Sequence, residues 1–428
     1  MTGAAVLTRS VLVVGDGLVG LAAAIALRRA LPGAEVALVQ LPPAPDSWTD
    51  RIGACSPVIH KFHRQIGLDR KLFVQHARAE AVRLRRYLRP GRPEKREACT
   101  AAIPFVEGVA LHQIWLRHRT DTGDASPDFA AMLLALRDAH GEEGGFGARF
   151  DPAAYAALLG NMAAALGVVR HDSEDVGIET DGHAIKGIVT EAGGTLTADL
   201  FVDAAGPRSR LLTALGARWR NWSAWIPPRA LAVTAEGDGA LGEEMLTETP
   251  EGLRWQTRLW RANMTPHIDG RASGRLEQGW QANAVAIGEA AVHVPANDGH
   301  LLGTALEDIL RLIALLPRPN GQGRDIGEYV RRTAIAHDAL ADWSSLCFGP
   351  DDIPQPDGLA AILATFDARG RVAPRELDPI APGQWLARLM ALRPRPRRID
   401  PTALALPEDI VRTAIARAAQ SGAPHAPK

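Results

Sequence analysis

Ser10-Val-Leu-Val-Val14, Gly15-Asp-Gly-Leu-Val-Gly20, the alanine-rich run Leu21–Ala30 and Glu35-Val-Ala-Leu-Val-Gln40 are the stretch on which the fold turns. The first five residues are a short apolar run rich in β-branched side chains, as in a strand buried on both faces. A helix is predicted over 21–30, and Pro32-Gly33 stops it. A second buried strand follows at 35–40. Strand, glycine loop, helix and strand within about 30 residues is the setting in which GxGxxG binds a dinucleotide. Gly15 permits the tight turn, Gly17 lets the backbone approach a pyrophosphate, and Gly20 lets helix and strand pack closely. The helix N-terminus then offers N–H groups to the anion. The acidic residue expected at the end of the second strand, to hold a ribose hydroxyl, is Gln40 here, a weaker acceptor than a carboxylate.

The rest of the chain bounds the answer. Its 428 residues, 46% hydrophobic and 23% charged, suffice for one large domain with an appended layer, or for two domains. With 48 basic and 49 acidic residues the net charge is −1, which gives no field for nucleic acid or an anionic membrane. Arginines cluster at Arg83–Arg89 and Arg393–Arg398; such runs are ordinarily solvated faces, and the other reading is a docking surface for an acidic partner. Cys55, Cys99 and Cys347 lack CxxC spacing and leave one over. That fits a reducing compartment and argues against disulfides or zinc. The apolar stretch 11–31 has glycines at turn spacing and no basic flank beyond Arg9, unlike a signal peptide. No run reaches the roughly 18 apolar residues of a membrane span. A cytoplasmic protein is expected.

Helices are predicted over Pro57–Ile66, Leu72–His76, Ser126–His140, Asp151–Leu166 and Gly303–Leu316, and through most of the chain beyond Asp325. The region Ala81–Arg119 reads as strand-rich, interrupted by Pro90-Gly-Arg-Pro93. Short strands alternating with Asp181-Gly182 and Gly193-Gly194 between 168 and 203 read as a meander. Leu231–Trp280 is also strand-like, and Asp199–Asp203 and Ala284–Ile287 are further buried strands.

Three further segments resemble FAD-dependent aromatic hydroxylases and flavin-dependent tryptophan halogenases, which share one fold. Arg51-Ile-Gly-Ala-Cys-Ser-Pro57 resembles the segment whose arginine reaches the FAD phosphates. Ala198-Asp-Leu-Phe-Val-Asp-Ala-Ala-Gly-Pro-Arg-Ser-Arg-Leu211 resembles the halogenase "DLFIDASGxxS". Ile287-Gly-Glu-Ala-Ala-Val-His-Val-Pro295, with Gly299 and Gly303, resembles "GDAAHxxxP", whose acidic residue, here Glu289, holds the ribityl chain. Phe150-Asp-Pro152 and the tail around His337–Trp343 and Trp385 extend the likeness over nearly the whole chain. It implies an α/β protein with a Rossmann-type FAD-binding domain of the aromatic-hydroxylase/halogenase type (1–80, 145–215, 281–320). An inserted β-sheet substrate domain (81–144, 216–280) and a helical C-terminal region (321–428) complete it. The FAD residues are then Gly15, Gly17, Gly20, Gln40, Arg51, Gly288, Glu289 and Gly299.

Both chemistries begin with reduced FAD and O2 forming a C4a-hydroperoxide. In the halogenases hypohalous acid then travels to a lysine, a glutamate assists, and a WxWxIP strand divides the two sites. At the lysine position this sequence has Val82, or Arg83 with a slip of one; arginine stays protonated and is a weak nucleophile. Leu253-Arg-Trp-Gln-Thr-Arg258 keeps one tryptophan of that strand, and Trp222 and Trp225 are spaced one residue too far apart. The glutamate position falls on Asn297 or Asp298. Hydroxylation of an aromatic ring is therefore expected, with halogenation of an indole or phenol as the alternative and a non-catalytic flavin scaffold as the alternative of another class. Acid–base candidates near the flavin are His293, Asn297, Asp298 and His300. His112 and Gln113 are expected on the substrate side, and Trp115, Trp255 and Trp260 as strand-core packing. There is no second GxGxxG, so NAD(P)H would bind transiently or a separate reductase would supply reduced flavin. The pattern most resembles the flavin monooxygenases that hydroxylate a peptide-bound tryptophan during maturation of quinohemoprotein amine dehydrogenase. That resemblance implies a small protein substrate docked on an Arg-rich face.

Overall fold

A computed structural model describes residues 8–123, 126–139, 145–235, 237–267, 271–295, 298–316, 322–349, 353 and 355–420. Its centre is a six-stranded sheet in the order 169–172, 35–40, 10–14, 200–203, 284–286, 280–281. All neighbours are parallel except the last pair. Alternation along Val11–Val14 sends Val11 and Val13 into one core, with the helices Leu18–Ala30 and Pro152–Ala165. Leu12 and Val14 enter a second core, under the small antiparallel sheet of Val176, Ile185 and Ile188. Because the neighbours of 10–14 lie to either side, the glycine loop opens at a switch in strand order, where such sheets bind ligands.

A second six-stranded sheet runs in the order 229–234, 261–266, 252–256, 243–249, 84–88, 95–98 and is antiparallel except between Glu243–Thr249 and Leu84–Leu88. Its last strand, Lys95–Ala98, meets a helical layer built from Leu111–Thr122, Phe129–Ala139 and the C-terminal helices Asp357–Arg369, Pro382–Leu392 and Glu408–Gln420.

Three expectations change. Leu111–Thr122 is a helix, not part of a strand region. Leu111, Ile114 and Trp115 recur at helical spacing and bury against Leu389, Val411 and Ile415, a period-3.6 signal that aromatic and β-branched content had masked. Val169–Asp172 leaves the meander and forms the edge of the parallel sheet beside Glu35–Gln40. The helix predicted from Ser126 begins at Phe129, where Asp128 Oδ1 accepts the Ala131 N–H at 2.8 Å. Among the described residues no helix is long and apolar enough to cross a membrane.

Candidate active site

At the end of the first strand Gly15 has φ +107°, and a Cβ there would lie 2.5 Å from the Ala204 carbonyl oxygen. Gly20 is more constrained: a Cβ would stand 1.8 Å from the Gly15 carbonyl oxygen. Gly17 is the N-cap of helix Leu18–Ala30 and offers no capping side chain. An anion nevertheless sits there. Asp50 Oδ1 accepts the Leu18 N–H at 2.7 Å, and its other oxygen lies 2.9 Å from Ser47 Oγ. Burial pushes the Asp50 carboxyl up to about 6; the Leu18 N–H opposes this and the nearby Glu289 charge adds to it. Gln40 donates through Nε2 to Asp16 Oδ2 at 2.8 Å, so the acidic group at this corner comes from within the glycine loop. Arg170 also reaches Asp16, at 3.5 Å.

Glu289 is buried at the Gly288 turn, where Gly288 has φ +64°. It accepts the Thr49 N–H at 2.9 Å, the Ser47 and Thr49 hydroxyls at 2.7 Å, and the Trp48 N–H at 2.9 Å. His293 Nδ1 lies 3.0 Å from its other oxygen. Burial pushes this carboxyl up, but His293 and the backbone donors outweigh it and hold it below the usual range. His293 is thus bound to Glu289, one turn back. Arg51 turns to the Pro45 carbonyl at 2.9 Å. Asp203 closes the neighbouring turn, its Oδ2 accepting the Leu211 N–H at 2.7 Å. Ser209 stands there with φ +44° and a buried Oγ that has no partner.

Gly299, φ +86°, caps helix His300–Ala314, and its missing Cβ would meet the Cys55 N at 2.5 Å. Asp298 and His300 face a buried ionic network. Asp298 accepts from Arg388 at 3.2 Å, from the Trp343 indole, and from the His300 N–H at 3.2 Å. Glu97 accepts from Arg388 Nε at 3.0 Å, from Arg85 at 3.4 Å and from the Tyr87 hydroxyl. Glu244 accepts from Arg85 Nε at 2.5 Å, Arg149 Nε at 2.7 Å and Trp255 Nε1 at 3.0 Å. Burial pushes the Glu97 carboxyl up to about 7, with Arg85 pulling against it. Burial lowers the pKa of the His300 ring, and its Nδ1 has no partner among the described residues. These residues enclose a chamber of about 20 Å³, room for a single water, lined by Val82, Glu97, Arg149, Asp298, His300 and Gln384.

His112 and Gln113, expected on the substrate side, lie elsewhere. His112 Nε2 and Gln113 Nε2 lie 2.8 and 2.9 Å from the Gly370 carbonyl, and Gln113 Oε1 takes the Asp400 N–H, so both tie the helical layer together. Trp115, expected as strand packing, packs there from a helix, while Trp255 and Trp260 pack as expected, edge to face at 4.7 Å beneath the second sheet. Arg85 is buried inside, so Arg83–Arg89 is not one solvated face; strand alternation turns it inward. Asn297 lies outside the described residues. Asp50, Glu97, Glu244, Arg149 and Arg388 carry no sequence motif, and Asp16 occupies a variable position of the glycine loop. Buried charge at strand alternation is the one local signal, visible at Arg85 and Glu97.

The tryptophan halogenase family profile matches residues 10–259 and 261–408. The chain belongs to that family. A tryptophan 7-halogenase, KtzQ, of Kutzneria sp. (strain 744) is 25% identical over 407 residues, covering 78% of this chain and 75% of that protein. Among solved structures, BrvH, a flavin-dependent halogenase from Brevundimonas sp. BAL3, superposes with a TM-score of 0.82 at 22% identity, covering 97% of this chain and 96% of that one. A tryptophan 6-halogenase from Streptomyces toxytricini gives 0.81 at 18% over 97% and 96%. These likenesses establish the fold, and the family brings FAD, reduced flavin and O2 with it. They favour the halogenase alternative over the hydroxylase expectation.

The residues present fit FAD. A carboxylate already occupies the helix end where a pyrophosphate would lie, in a loop whose three glycines leave no space for a Cβ. Leu18 and its turn would hold the phosphates, Glu289 the ribityl hydroxyls, and Gly299 the approach to the ring system.

Proposed function

We propose that this chain uses reduced FAD and O2 to modify an electron-rich aromatic ring, and that the group transferred is oxygen. The positions of its lysines support oxygen over halogen. The chain has five. Lys61, Lys71, Lys95 and Lys186 are exposed on the surface, and Lys428 lies outside the described residues. Val82 lines the chamber where the resemblance puts the halogen-carrying lysine. Among the described residues no amine is available there to hold a halogen.

Bound FAD supplies the oxidant; the chain's own groups do the rest. With FAD bound, the Leu18 N–H would take a phosphate in place of Asp50, and Glu289 would take hydroxyls in place of Ser47 and Thr49. The ring being attacked must shed a proton, and the unpartnered His300 Nδ1 can accept it through the single water for which the chamber has room. Electrons come from NAD(P)H, bound transiently or through a separate reductase. The narrower reading is a peptide-bound tryptophan modified during quinone-cofactor maturation, delivered by a small protein. An open cleft of about 820 Å³ beside the chamber supports a large substrate.

The test supplies FAD, a reductase, NADH and O2 with tryptophan-containing peptides, with and without chloride and bromide. A product heavier by one oxygen, formed equally without halide, is expected. Halogenation is the second reading, favoured by the family match and by relatives named as halogenases; a product that requires halide and carries it would establish that reading instead. O2 consumption no greater than free flavin alone gives would leave only a binding scaffold.

A further inference from the structure

The cleft of about 820 Å³ is walled by the turn Arg89–Arg92, the turn Thr249–Gly252, Arg229 and the helix end Leu346–Gly349. Its floor continues into a throat of about 50 Å³ between Tyr87, Leu246, Leu253, Cys347 and Leu392. The Tyr87 hydroxyl donates to Glu97, and Arg388 Nη1 lies 2.7 Å from Cys347 Sγ. Glu97 and Arg388 both line the chamber that holds His300. One layer of side chains therefore separates the throat from the chamber.

Arg229 is the unusual group in this cleft. It opens the edge strand Arg229–Thr234, and its guanidinium lies 5.3 Å from the Phe348 ring centroid. Its Nε is buried without a hydrogen-bond partner. Burial lowers its pKa, and among the described residues no carboxylate offsets that cost. The neighbouring Arg89 has Glu248 at 3.4 Å, and Arg85, Arg149 and Arg388 are all ion-paired. A half-buried, stacked guanidinium with free donors is a receptor for a carboxylate, which it can grip through two parallel hydrogen bonds.

We propose that Arg229, stacked on Phe348, binds a carboxylate of the substrate polypeptide, so that an aromatic side chain beside an acidic residue is presented in the cleft at the mouth of the throat between Tyr87 and Cys347. This rests on the reading of a peptide-borne aromatic substrate. It adds the element of sequence that marks the target, an Asp or Glu near the aromatic residue.

The probe is a fluorescein-labelled peptide with one tryptophan flanked by glutamates, its glutamine counterpart, and unlabelled free L-tryptophan, each titrated against the full chain and its Arg229→Gln variant. The acidic peptide is expected to bind the wild type, and either change alone should raise Kd by at least ~10-fold. Both together should add little more, since they remove the same contact. The glutamine peptide on the wild-type protein reads the same contact without any variant. Equal binding of the two peptides, or no binding of the acidic one, overturns the assignment. Arg229-dependent binding of free L-tryptophan without binding of the peptide overturns the polypeptide part. Because the readout is binding, peptide that binds through Arg229 but never gains oxygen refutes the proposed reaction alone.

Discussion

Asp50 Oδ1 accepts the Leu18 backbone N–H at 2.7 Å, and a Cβ on Gly17 would fall 2.4 Å from that same oxygen. A carboxylate of the chain thus fills the helix end at which the fold binds phosphate. The three preceding residues, Ser47–Thr49, hold Glu289, so one short segment engages both ends of the flavin site.

Removing this internal anion should tighten FAD binding. Asp50→Asn is expected to lower the FAD dissociation constant at pH 7.5 several-fold, read by quenching of flavin fluorescence. The carboxyl is pushed up to about 6, so it is mostly ionised at pH 7.5 and mostly protonated at pH 5. Wild-type protein should therefore bind FAD more tightly at pH 5 than at pH 7.5, and Asp50→Asn should remove that difference. Weaker binding by the variant at both pH values would show that Asp50 assists FAD and does not compete with it.

His63 packs edge to face on Phe73 at 4.5 Å, with Nε2 2.8 Å from the Tyr155 hydroxyl. Burial pushes its pKa down to about 3. The unfolded chain then binds a proton that the folded chain refuses between about pH 6.5 and 3, so this residue makes stability fall as pH drops through that window. Urea denaturation at pH 7 and pH 5 should show the wild type losing up to about 1.4 kcal/mol per pH unit more than His63→Gln. Parallel losses in the two proteins would contradict a buried neutral imidazole.

Glu244 is held by Arg85, Arg149 and the Trp255 indole, all buried. Glu244→Ala leaves two guanidinium groups short of charge and is expected to cost roughly 3–5 kcal/mol of unfolding free energy. A loss below about 1 kcal/mol, the range of exposed ion pairs, would mean that water reaches this network.

Gly20→Ala places a methyl 1.8 Å from the Gly15 carbonyl oxygen, which belongs to backbone and cannot swing aside. The helix must shift off the strand, so FAD binding should be abolished and the melting temperature lowered. Gly33→Ala, with open space around it, is the control and should change neither.

The first 40 residues made the Rossmann corner legible because buried strands, turn glycines and an alanine-rich helix are local patterns. The motifs around Arg51, Asp203 and Glu289 extended that reading to FAD, again through residues close together in the chain. The helix at Leu111–Thr122 is written in the spacing of Leu111, Ile114 and Trp115, which the strand-like composition of the surrounding region obscures.

What the sequence determined by itself, then, is the dinucleotide corner, the halogenase-like order of segments and the absence of a lysine at Val82. Only the tertiary structure decided that Asp50 stands at the Leu18 N–H, that Arg85, Arg149 and Arg388 meet Glu97, Glu244 and Asp298, and that Arg229 lies beside Phe348 with no carboxylate partner among the described residues. Local periodicity reports which face of an element is buried. Which charges come together depends on contacts between residues far apart in the chain, up to 291 positions for Arg388 and Glu97, and no short pattern encodes those.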